Sequence, residues 1–268
     1  MPVRFVTDDK IAETSSKGNQ EKWAEGSRWY KLDQFGYEAL AEAFTSALLE
    51  HSSIERDTPF TFVRYRMERM NVHGRERTGC SSESFLGPGE SIITLSHLYK
   101  RSLDKPLRDV LSKITSDKKR IAYLAEATAE LTGLTLFPQY LTLLFEIDAL
   151  ILNDDRHLNN IAVLERGGKF DYCPIFDNGA GLLSNTQLTP MDIAPAALVK
   201  TVKARPFNTT FNRQIITARN LYGSQLSIPK FTRSGLVDML QPMLEYYSTR
   251  DRGIITDRVC ETVTMRQG

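Results

Sequence analysis

Residues 153–184, NDDRHLNNIAVLERGGKFDYCPIFDNGAGLLS, decide how the rest of the chain is read. An apolar stretch ends at their start, and a polar turn then delivers Asp155, Arg156, His157, Asn159 and Asn160. Residues 161–164 favour a strand, Gly167-Gly168 supply a hairpin turn, and residues 171–176 return as a second strand. That strand ends on Asp177, Asn178 and Gly179. A hairpin brings the residues before its first strand beside those after its second, so Asp155, Asn160 and Asp177 are predicted to converge. Magnesium takes hard oxygen ligands and keeps several waters. One carboxylate and one amide oxygen, completed by nucleotide phosphates, suit it. The remaining carboxylate can orient an attacking hydroxyl and accept its proton. The Asp-x4-Asn spacing puts Asp155 in that role and Asn160 on the metal. A polar loop whose Asp and Asn cap a turn explains one such residue, but not three that meet.

Working outward, residues 138–152 are apolar almost all round, as in a helix at the centre of a lobe. Further helices are expected over 106–115, 117–132, 234–249 and 253–263, with Ser234 as N-cap of the third and Pro242 kinking or splitting it. The first third is mixed. Residues 28–32 (RWYKL) read as a strand and 37–50 (YEALAEAFTSALLE) as a helix. Residues 58–70 read as a strand whose later part alternates, with Arg64, Arg66 and Glu68 on one face and Val63, Tyr65 and Met67 on the other. The stretch 73–90, HGRERTGCSSESFLGPGE, reads as a connector. The expected architecture is α+β: a small β-rich lobe over 1–72 and a larger helical lobe over 73–268.

Composition narrows the function classes. Hydrophobic residues make up 41% of the 268, charged residues 25%, and Lys+Arg 34 against Asp+Glu 33 gives a net charge of +1. This is an ordinary globular balance, without the excess of positive charge that captures nucleic acid in bulk. No uncharged apolar run approaches the ~18 residues of a membrane span. The opening MPVRFVTDDK lacks the apolar core of a signal peptide, and three dispersed cysteines form no CxxC pair. A cytoplasmic protein with free thiols is expected, with Cys80 in a polar, exposed stretch. Direct nucleic-acid and membrane binding are not expected. His51, His73 and His97 are scattered and make no metal site.

DRHLNN followed by FDNG resembles the catalytic and metal-binding loops of HipA-like kinases, the bacterial toxin-type serine/threonine kinases that share a distant architecture with the phosphoinositide kinases. Protein kinases at large carry the order His-Arg-Asp instead. The resemblance implies a two-lobed protein-kinase-like fold, ATP and Mg²⁺ as cofactors, Asp155 as catalytic base, and Asn160 and Asp177 as metal ligands. Asn178 stands where the DFG pattern has Phe. The kinase pattern also asks for a strand Lys on the α- and β-phosphates, paired with a helix Glu. Lys31 fits, with Glu38 as first choice of partner and Glu42, one turn on, as second. Read alone, Lys31 is a solvated strand lysine.

The phosphate loop is expected at 14–22, TSSKGNQEK, where backbone N–H groups of Ser15, Ser16, Lys17, Gly18 and Asn19 cradle phosphate. Self-phosphorylation of Thr14, Ser15 or Ser16 is implied by the resemblance. His157 is expected to organise the nucleotide-side loop, and 65–71 to form the hinge that reads adenine. Residues 203–211, KARPFNTTF, resemble a family segment without assigned chemistry. The implied partners are a protein substrate with a Ser or Thr acceptor and a cognate antitoxin protein, the chain being a short form without the extra N-terminal subdomain. A small-molecule or lipid kinase, and a nucleotide-binding interaction module without turnover, are the alternatives.

Overall fold

Side chains alternate along a strand with a period of two, and that alternation builds the first sheet. The computed structural model describes residues 4–6, 21–103 and 106–267. Strands β1 (Arg4–Val6), β2 (Lys22–Glu25), β3 (Arg28–Leu32), β4 (Tyr65–Val72) and β5 (Arg75–Glu83) form one sheet in the order β1-β4-β5-β3-β2. All pairings are antiparallel except β1 with β4. One face buries Trp23, Tyr30, Leu32, Met70 and Val72 as a separate small core. On the other, register lines up Lys22, Lys31, Cys80 and Met67 in one row. Helix α1 (Glu38–Leu49) packs on β4 and β5 over that second face. After α1 comes one short turn of helix, α2 (Ile54–Asp57).

Three expectations are corrected here. The stretch 73–90 is not a connector throughout, because Arg75–Glu83 pair along the whole of β4 and form the central strand of the sheet. The sheet therefore continues past residue 72 to Glu83. The strand expected over 58–70 starts only at Tyr65. Phe60 and Phe62 ahead of it are buried in the main core, and Phe62 bridges to Ile175, so their apolar character serves packing toward the helical part. Cys80 is fully buried on the central strand, and Cys173 and Cys260 are also buried free thiols.

The second part opens with β6 (Ser91–Thr94), which β7 (Ala162–Arg166) and β8 (Lys169–Tyr172) join as a three-stranded sheet in the order β6-β7-β8. Gly167 and Gly168 both have positive φ, 58° and 79°, as a two-residue hairpin turn requires. The helices are α3 (Leu95–Ser102), α4 (Leu107–Ser112), α5 (Asp117–Thr132), α6 (Phe137–Ile151), α7 (Pro195–Leu198), α8 (Phe211–Tyr222), α9 (Arg233–Leu244) and α10 (Thr249–Arg266). α6 is buried on every side, against α5, α8 and α10. The cap of α9 is Thr232, whose hydroxyl accepts the Gly235 N–H at 3.2 Å, rather than Ser234. Pro242 falls in the last turn, and the helix continues to Leu244. Among the described residues no helix is long and apolar enough to cross a membrane.

Candidate active site

Leu152 ends α6 in the left-handed region (φ 56°), which turns the chain sharply into the polar loop. Asn153 fixes the loop from within. Its amide donates to Asp148 Oδ1 at 3.0 Å and to the Asp177 carbonyl at 3.3 Å, while its Oδ1 accepts the Asp155 N–H at 3.2 Å. Arg156 does more. Its Nε lies 3.1 and 3.0 Å from the two Asp148 oxygens, and Nη2 donates to Asp148 Oδ1 at 2.9 Å and to Asn178 Oδ1 at 2.7 Å. Nη1 donates to the carbonyls of Asn160 (3.2 Å) and Phe176 (2.6 Å). Arg156 and Asp148 are buried, so the pair is fully desolvated and every donor has a partner. This web ties the loop carrying Asp155 and Asn160 to the irregular segment carrying Asp177; the strand expected over 171–176 already ends at Tyr172. Asp155, Asn160 and Asp177 thus stand on segments that Asn153 and Arg156 hold to one another.

Asp155 itself is exposed, with His157 Nε2 3.8 Å from its carboxylate. Partial burial raises its carboxyl above the usual range, His157 opposing and Asp177 adding to the rise. The Asn160 amide N–H donates to the Asp155 carbonyl at 2.9 Å, leaving the side-chain oxygen as its free donor atom. Among the described residues no three His, Cys, Asp or Glu side chains are grouped to hold a metal. A divalent ion at Asn160 and Asp177 therefore needs further oxygens from a bound ligand, and an amide with one carboxylate is the donor set that leaves room for phosphates.

Lys31 faces this loop from β3. Its Nζ lies 2.5 Å from Glu42 Oε1 and 2.6 Å from Asp177 Oδ1, over the Tyr65 ring at 5.3 Å. Burial works against the charge, but Asp177 and Glu42 outweigh it and hold the ammonium protonated well above its usual range. Burial likewise opposes ionisation of Asp177, and Lys31 overrides it, drawing the carboxyl far below its ordinary value. Glu42 on α1 is the partner; Glu38 is not. Glu38 turns back to accept the N–H groups of Phe35 (2.8 Å), Gly36 (3.1 Å) and Gln34 (3.3 Å), which the turn into α1 leaves unpaired. Glu42 Oε2 also accepts the Asn178 N–H at 2.9 Å. Asn178, where the DFG pattern has Phe, thus bonds both Glu42 and Arg156 and joins the two halves of the site.

Other expectations fall elsewhere. Ser15, Ser16, Lys17, Gly18 and Asn19, with Thr14, lie outside the described residues. Residues 65–71 are not a hinge but most of β4, paired throughout with β5. The segment that leads from the sheet into the helical part follows Glu83, where Phe85 and Leu86 pack with Phe176, Ala162 and Leu164. Arg156, rather than His157, organises the loop. Sequence reading also missed Lys22, which register sets opposite Lys31. Burial lowers Lys22, with Asp177 opposing and Lys31 adding to the fall. Asp154 was missed as well; burial and the neighbouring Asp155 raise its carboxyl to about 6. Arg156 sat inside the quoted motif, but its partner Asp148 looked like an interruption in an apolar helix. An acid on an otherwise apolar, buried helix was the available signal, and the helix carries two, Glu146 and Asp148.

No family model and no curated protein matches the sequence. Among solved structures the chain is similar to a Helicobacter pylori proinflammatory kinase, CtkA, with a TM-score of 0.56 at 13% identity over 94% of this chain and 92% of that one. It is also similar to HipA from Shewanella oneidensis MR-1, solved with HipB and operator DNA, with a TM-score of 0.43 at 16% identity over 94% of this chain. It spans 64% of that longer chain. The chain thus shares its fold with a solved kinase, the kinase-like α+β fold expected from the two loop motifs.

Proposed function

We propose that this chain is an ATP- and Mg²⁺-dependent serine/threonine protein kinase of HipA-like type. The observation that carries the reading is the meeting of Lys31, Glu42 and Asp177 at one point, with Asp177 tied through Asn153 to the loop of Asp155 and Asn160. Lys31, held by Glu42, takes the α- and β-phosphates. Asn160 and Asp177 hold the metal, which when bound supplies positive charge to the phosphate oxygens. Asp155 orients the acceptor hydroxyl and accepts its proton. The nucleotide lies between a small lobe, running to the end of β5, and the helical lobe. Its base rests near Phe85, Phe176 and Ala162, which cluster where the chain leaves the sheet. Self-phosphorylation at Thr14, Ser15 or Ser16 and a separate antitoxin partner belong to the same proposal and rest on the motif resemblance.

Incubation of the purified chain with ATP and Mg²⁺ tests the reading. Intact mass and peptide mapping should show added phosphate, and Asp155→Asn should abolish it. An Asp155→Asn chain that labels as well as wild type overturns the assignment of the base. Labelled ATP in a fractionated lysate distinguishes acceptors: label in the protein fraction supports this reading, and label confined to lipid or metabolite fractions overturns it.

A further inference from the structure

We propose that the elbow between α9 and α10, residues 245–248, positions helix α1 and through it the Lys31–Glu42 pair, with Tyr247 as the positioning residue. The inference rests on reading Lys31 and Glu42 as the phosphate-handling pair. The Tyr247 hydroxyl donates to Asp33 Oδ2 at 2.7 Å. The other oxygen of Asp33 accepts the Ala39 N–H at 2.6 Å, in the first turn of α1. Asp33 lies two residues after Lys31, and Ala39 one turn before Glu42. One phenol therefore fixes a carboxyl group that sits between the two members of the pair.

The elbow is itself fastened to the sheet. Arg69 on β4 donates to the Glu245 carbonyl at 2.8 Å and lies 5.5 Å from the centre of the Tyr246 ring. Thr78 on β5 donates to the Tyr246 carbonyl at 2.9 Å, and Arg252 on α10 donates to the Tyr247 carbonyl at 3.0 Å. Arg77 adds a bond to the Asp33 carbonyl at 2.7 Å, and the Asp33 N–H donates to the Thr78 carbonyl at 3.0 Å. The far end of α1 is held from the same part of the chain. Ser53 N–H donates to the Ser227 carbonyl at 2.9 Å, and His51 meets the Phe231 ring edge-on at 5.5 Å. The loop before α9 and the elbow after it thus hold α1 just past its end and at its start, and α9 packs along it. In a kinase-like fold this helix is the element whose placement decides whether the Lys–Glu pair exists. Here its placement is set by the chain's own C-terminal part.

Tyr247→Phe keeps the ring and removes only the hydroxyl. The full-length variant should show kcat for ATP-dependent self-phosphorylation lowered about tenfold, with KM for ATP within about threefold of wild type. Amide hydrogen exchange over residues 39–44 should accelerate while that of α6 stays unchanged. Asp33→Ala should reproduce the effect. Asp33→Asn should preserve most of the activity, because its amide oxygen still accepts from Ala39 and its amide nitrogen can donate to the Tyr247 oxygen. Unchanged exchange over 39–44 in Tyr247→Phe overturns the proposal. So does acceleration spread equally over α6, or an Asp33→Asn chain as impaired as Asp33→Ala. A wild-type chain that turns over no ATP overturns the phosphotransfer reading instead, and the exchange measurement then decides the coupling on its own.

Discussion

Arg156 and Lys31 are both cations held by carboxylates, and both touch the Asp177–Asn178 segment, yet their surroundings differ. Arg156 is fully buried, and its donors are spent on Asp148, Asn178 and two backbone carbonyls. No ligand can compete for it. Lys31 keeps 12% of its side chain exposed, and its second partner Asp177 keeps 26%. Both therefore stay reachable from solvent. The first cluster is scaffold, fixed before any ligand arrives, as electrostatic preorganisation requires. The second holds its charges against each other, and under the proposed function a ligand divides them, Lys31 taking phosphate and Asp177 metal. Scaffold and working charge share one backbone segment, so the geometry of the second is inherited from the first.

Substitution separates the two roles, and the largest effects come first. Lys31→Gln should lower phosphate incorporation at least about a hundredfold by removing the charge that holds the α- and β-phosphates in place. Its melting temperature should stay much closer to wild type than that of Arg156→Gln. The Arg156 substitution strands Asp148 in the interior, and breaking a buried pair in this way costs about 3–5 kcal/mol. Urea unfolding of the two variants side by side measures the difference. Equal losses of stability would erase the distinction between scaffold and working charge.

Much of this was legible in the sequence, for definite reasons. The hairpin after DRHLNN carries two glycines at its turn, and only one folding-back satisfies them, so Asp155, Asn160 and Asp177 could be brought together by local reading alone. α5 could be placed from its own periodicity and α6 from its apolar run. What could not be read depends on partners distant in sequence. β5 carries Gly, Ser and charge because it is covered by its neighbours on both edges and packs Cys80 against α1. Its composition therefore imitates a loop. The choice between Glu38 and Glu42 turned on where the loop over 33–37 leaves unpaired N–H groups, and that requires the approach of residues 184–186. Gly36 marks this approach: a Cβ there would lie 2.0 Å from the Ser184 carbonyl oxygen.

That choice gives the next comparison. Glu42→Gln weakens the partner of Lys31 and should lower turnover about tenfold. Glu38→Gln loses a charged acceptor for the N–H groups of the turn, and should cost about 1 kcal/mol of stability with turnover within about threefold. Measuring kcat and urea midpoints for both variants sharpens the assignment. A Glu38→Gln chain more impaired in turnover than Glu42→Gln would reverse it.

The smallest effect is a pH dependence, and it probes the elbow rather than the cluster. Burial pushes the Asp33 carboxyl up to about 8, against the opposing bonds from Ala39 and Tyr247. In the unfolded chain the group ionises at about 4. Between these values the folded chain holds a proton that the unfolded chain has released, so this group's contribution to stability falls as pH rises from about 4 to 8 and levels off above. Asp33→Asn cannot titrate and lacks that slope. Other buried carboxylates impose their own slopes on both chains, and these cancel when variant and wild type are compared at each pH. The stability of Asp33→Asn relative to wild type should therefore increase from pH 5 to pH 8. Parallel curves across that range would mean that Asp33 is ionised in the folded protein and that the Tyr247 hydroxyl donates to a full negative charge.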